Sequence, residues 1–137
     1  MANIPPAMPA LRLLLLLGIL ALAACSDPRE TTLARMRHAK FEDIRADVAR
    51  LHAQHFVSPG PEFIPIRPEL WSPAIRDLRP LRMTLYRDGL AIATLDKPGF
   101  EFGIHVVPPG DIAPPKSTPI TQYQFLQNGL YFYTQKR

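Results

Sequence analysis

The chain has 137 residues, with 16 Lys+Arg against 12 Asp+Glu, 16 prolines and one cysteine. That length holds one domain, and proline at more than twice the usual ~5% argues against a helical bundle or a doubly wound sheet, since prolines fit neither helix interiors nor central strands. A hydrophobic content of 47% argues against a wholly disordered chain, and a formal charge of +4 reads as an ordinary soluble surface with no nucleic-acid partner.

The first segment reads as an address. Leu13 to Ala24 is an apolar run with Arg12 just before it. A membrane-spanning helix needs about 18 to 20 apolar residues, so this run is too short to span and has the pattern of a secretory signal. Leu22-Ala23-Ala24-Cys25 resembles the bacterial lipoprotein box. That resemblance implies a signal peptide over residues 1–24 and lipidation of Cys25, whose thiol takes a diacylglycerol as a thioether. Acyl chains such as palmitate then anchor the protein in the membrane, each buried CH₂ contributing about 0.8 kcal/mol. Ser26 after the cysteine implies the outer membrane, facing the periplasm. Asp directly after the cysteine is the inner-membrane signal; here Asp27 stands one place later, so the inner membrane is the alternative. Met8 gives a tighter signal than Met1 and is the expected start.

Asp27-Pro28 followed by Glu30 reads as a capped helix start. The spacing predicts one long helix from Pro28 to about His55. Its apolar stripe is clean from Phe41 to Leu51 but is interrupted by Arg37 and Lys40 before that. Residues 25–40 are therefore expected to form the lipid anchor and a helical stalk, and residues 41–137 a single domain. From Val57 to Pro80 the chain is expected to wrap the core irregularly, with a short helix from Pro73 capped by Ser72.

The period then changes to two. Leu81, Met83 and Leu85 alternate with polar residues. Asp88-Gly89 predicts a hairpin turn that sets Leu85 opposite Ile92 and Met83 opposite Thr94. Pro98-Gly99 suits a type II turn. Phe100 to Val106 forms the third alternating run. Pro108 to Pro119 is expected to be a stiff, exposed polyproline-like connection, with capture by an aromatic groove as its functional alternative. Asn128-Gly129 closes a last hairpin, pairing Phe125 with Phe132 and Leu126 with Tyr131. The fold class is α+β: one long N-terminal helix followed by a small, mostly antiparallel sheet of about five strands with proline-rich connections.

The chemistry is sparse. Lipidation consumes the only thiol. No serine sits in a nucleophile motif, and no catalytic residue or cofactor is expected. His52 and His55 are three apart on a helix and could share a metal if His105 or Glu101 supplied a third ligand. The glutamate of a zinc-protease helix is missing, and His55 lies on the apolar stripe, where a buried histidine is the commoner outcome. Arg76, Arg79, Arg82 and Arg87 could clamp a carboxylate or phosphate, but they are expected to point apart. Pro73 to Pro80, Arg87 to Leu90 and Gly129 to Tyr133 resemble small bacterial proteins of unknown function. The expectation is a lipid-anchored envelope protein, not an enzyme, bound to the membrane through Cys25. It would bind an envelope protein through a face carrying Tyr131, Tyr133 and Leu126. The alternative is a small-ligand or metal-binding lipoprotein using His52 and His55.

Overall fold

Asp27 caps the helix that starts at Pro28, its carboxylate accepting from the Arg29 amide at 2.9 Å. A computed structural model describes residues 10, 12–17, 27–56, 60–110 and 112–137. Cys25 and the lipoprotein box lie outside the described residues. Residues 12–17 are helical with exposed leucines, and among the described residues no helix is long and apolar enough to cross a membrane.

The expected long helix is two helices. The first, α1, is Pro28–Met36, and the second, α2, is Phe41–His55. They part where Arg37 and Lys40 interrupt the apolar stripe: the Ala39 amide bonds back to the Met36 carbonyl, and Lys40 leaves helical geometry at ψ 86°. The break lets both helices lie on the same sheet. The expected stalk is corrected accordingly. Thr32 of α1 is fully buried, its hydroxyl 2.8 Å from that of Thr94, and Arg35 donates to the Thr94 carbonyl at 2.8 Å.

The sheet is antiparallel with six strands in the order β1-β2-β3-β4-β6-β5. These are β1 Phe63–Pro65, β2 Arg82–Tyr86, β3 Gly89–Lys97, β4 Phe100–Val106, β5 Thr121–Gln127 and β6 Leu130–Lys136. The short helix α3, Pro73–Arg76, precedes β2, with the Ser72 hydroxyl capping the Ile75 amide. The unexpected sixth strand is β1, three residues at an edge and ending in Pro65; proline suits an edge strand because it has no amide to donate.

Both hairpin registers differ from expectation. The β2–β3 loop is Arg87-Asp88, one residue earlier than Asp88-Gly89, so Leu85 faces Leu90 and Met83 faces Ile92. Gly89 opens the strand instead, at φ 150°, where a Cβ would strike the Val106 carbonyl and approach the His105 ring to 2.8 Å. In the last hairpin a bulge at Leu126 shifts the pairs to Phe125–Tyr131 and Gln124–Phe132. A second bulge at Thr94 sets two residues of β3 opposite Gly103.

One sheet face carries Met83, Leu85, Leu90, Ile92, Ile104 and Val106. It packs against Ile44, Val48 and Leu51 of α2 and against Ile75 and Leu78. Each such side chain contributes about 1.5–3 kcal/mol on burial.

Candidate functional site: the outer face of the sheet

Every second residue of the strands points away from the helices, so the same alternation that fills the core populates a second face. From β2 come Arg82 and Tyr86, from β4 Glu101 and His105, from β6 Tyr131 and Tyr133, and from β5 Tyr123 and Phe125. The floor between them is made of small residues, Ala91, Ala93 and Gly103.

Glu101 is the centre of one half. Its carboxylate accepts from the Tyr133 hydroxyl at 2.7 Å, from Arg82 Nε at 2.7 Å and from Arg137 Nη2 at 2.5 Å. Asp96 shares both arginines, at 2.6 Å from Arg82 and 3.3 Å from Arg137. Two cations and two anions thus form a balanced cluster. Burial disfavours the charge on Arg82, but its hydrogen bonds to Asp96 and Glu101 outweigh this and raise its pKa. Tyr133 is only 2% exposed, and burial together with the bond to Glu101 pushes its phenol far above the usual range. A carboxylate that accepts from three donors is a structural anchor tying β2, β4 and β6 together.

His105 is the centre of the other half. It has no exposed surface. Its Nε2 lies 3.5 Å from the Asp88 carboxylate and 3.4 Å from the Asp88 carbonyl, and its Nδ1 has no hydrogen-bond partner among the described residues. Burial lowers its pKa, and Asp88 only partly offsets this, so the ring is neutral. The Tyr123 ring stands edge-on to it at 5.4 Å. Burial, aided by Asp88 and Tyr86, pushes the Tyr123 phenol up to about 12. In a flat sheet about 19 Å would separate β2 from β5. Tyr123 nevertheless feels Asp88 and Tyr86, and its ring also meets that of Tyr133 at 6.4 Å.

The outer end of β5 differs. Phe125 is 63% exposed and meets Tyr131 edge-to-face at 5.7 Å. The amides of Thr121 and Tyr123 on its open edge are taken by the hydroxyls of Thr118 and Ser117. Among the described residues, no strand pairs with that edge. The proline connection folds back to supply those hydroxyls and buries Pro108 and Pro115, so it is not the fully exposed arm expected.

Of the expected partner face, only Tyr131 is available. Tyr133 is enclosed, and the bulge turns Leu126 to the opposite face, where it packs on the core. The histidines are not brought together either. His52 Nε2 bonds the Arg87 carbonyl at 2.8 Å, His55 borders a separate cleft with Arg67 and Glu69, and His105 lies on the far side of the sheet. Among the described residues, no three His, Cys, Asp or Glu side chains could hold a metal ion. The sequence reading passed over the Glu101 cluster, although Arg82 and Glu101 both occupy outward positions of their alternating runs. It also left out Phe125, because the expected register put that ring in the core. Compared with known proteins, the chain matches no family model, no curated protein sequence and no solved structure.

Proposed function

We propose that this chain is a lipid-anchored envelope protein, tethered through Cys25 to the periplasm-facing side of the outer membrane. It acts as a non-catalytic binding module for another envelope protein. The observation that carries the binding role is the pair Phe125–Tyr131, an exposed ring meeting a half-buried one on an edge hairpin whose Phe132 and Tyr133 are buried. Aromatic side chains of this kind anchor protein interfaces because they bring large contact area at low conformational cost. The non-catalytic reading is supported by the polar groups of the same face: Glu101 is held by three side-chain donors and His105 is enclosed. The anchor reading rests on the lipoprotein-box residues at Leu22 to Cys25.

Crosslinking in intact cells, followed by pull-down, tests the binding role. One recurrent envelope protein should be recovered, and Phe125→Ala with Tyr131→Ala should lose it while melting stays within the ~0.5 kcal/mol typical of surface substitutions. Recovery unchanged in that variant would refute the proposed face. Cys25→Ser should move the protein from the membrane fraction to the soluble fraction.

A further inference from the structure

We propose that the cleft between α1 and the Arg76–Arg79 segment binds a phosphate group. The cleft is open, holds about 750 Å³ and is lined by Arg35, His38, Arg76, Asp77 and Arg79. The four arginines that follow one another in sequence separate here. Arg82 belongs to the Glu101 cluster and Arg87 bonds the Gly60 carbonyl, while Arg76 and Arg79 join Arg35 at one cleft. Neither the Arg76 nor the Arg79 guanidinium has a hydrogen-bond or ion-pair partner among the described residues. Arg35 uses only Nη1, on the carbonyls of Thr94 and Arg79, which fixes its position and leaves its other donors unused.

Three guanidinium groups against the single carboxylate of Asp77 leave a surplus of two positive charges at the cleft. That surplus matches a phosphate group, whose tetrahedral oxygens accept from several arginines at once. The volume suits a phosphate carried on a small organic molecule or a headgroup. Arg79 adds an independent observation. It is the only non-glycine residue with positive φ among the described residues, at 52°, closing α3 where glycine is the usual choice. A residue with a Cβ is strained there, and strain of this kind gathers at functional sites. Its backbone carbonyl also accepts from Arg35, so the strained turn joins two of the three cations.

Titration calorimetry on the full chain in a zwitterionic detergent tests this. The probes are inorganic phosphate and glycerophosphoglycerol, the deacylated headgroup of phosphatidylglycerol. Saturable binding at one site is expected, weakened about tenfold or more by Arg76→Ala and by Arg79→Gly, as for loss of a charge-assisted bond. Because glycine accepts positive φ, Arg79→Gly should melt at the same temperature or higher, which separates lost binding from lost folding. Tighter binding of the diester would identify a lipid headgroup as the source; tighter binding of inorganic phosphate would identify a soluble phosphate. Absence of binding by both probes, or binding unchanged in both variants, would overturn the proposal.

Discussion

Glu101 accepts from Tyr133, Arg82 and Arg137 together, so removing any one donor leaves a buried carboxylate short of a partner. Tyr133→Phe should destabilise the fold by about 1–3 kcal/mol in urea unfolding at neutral pH. It should also change the alkaline limb. The Tyr133 phenol holds its proton in the folded chain above the usual range, whereas the unfolded chain releases it near pH 10. Stability therefore falls as pH rises above about 10, and Tyr133→Phe should fall less steeply. His105 has the opposite sense. Its folded pKa lies below the ordinary value of 6.5, so the unfolded chain takes up a proton that the folded chain refuses. Its contribution is complete above about pH 6.5 and is lost as pH falls below it. Melting temperatures between pH 7 and pH 5 should decline more in the wild type than in His105→Gln; equal slopes would show that the ring does not titrate against folding.

Among the elements, the strands with alternating residues were the most legible. Arg82 to Tyr86 and Phe100 to Val106 declare their inner and outer faces by period alone, and the two-residue slip in the first hairpin preserved those faces. The bulges were not legible. Leu126 and Thr94 are displaced by the partner strand and by contact with α1, which are long-range effects no local pattern encodes. That is why Leu126 read as sharing a face with Tyr131 and Tyr133 and lies on the opposite one in the fold. The candidate site was least legible, because an outward position reads as exposed unless its cross-strand neighbours are known: Tyr123 stands against His105 and Tyr133, and Glu101 takes the Tyr133 hydroxyl. The helix break was half legible, since Arg37 and Lys40 interrupt the stripe without announcing a turn. The bulge at Thr94 draws the backbone of β3 onto Gly103, where a Cβ would fall inside the Ile92 carbonyl oxygen. Gly103→Ala should cost about 3 kcal/mol or more by urea midpoint.

For the whole molecule, the docking of α1 decides where the domain begins. A stalk could be removed without consequence. Instead α1 supplies the Thr32–Thr94 contact, the Arg35 bonds to Thr94 and Arg79, and an Arg29 bond to Gln124 on the edge strand at 2.9 Å. Deleting residues 1–40 should lower stability by at least about 2 kcal/mol, read by chemical denaturation, because buried hydroxyls and carbonyls lose their partners. An unchanged midpoint would restore the stalk.

The same docking sets the length of the leash. With α1 bound to the sheet from Pro28 onward, only the backbone from Cys25 to Asp27 separates a lipid at Cys25 from the folded body. That is about 7 Å even when fully extended. On the proposed lipidation, the domain is held flush against the bilayer and cannot swing outward to meet a distant layer of the envelope. Whatever it binds must approach within a protein diameter of the membrane surface, and the domain meets it in a narrow range of orientations.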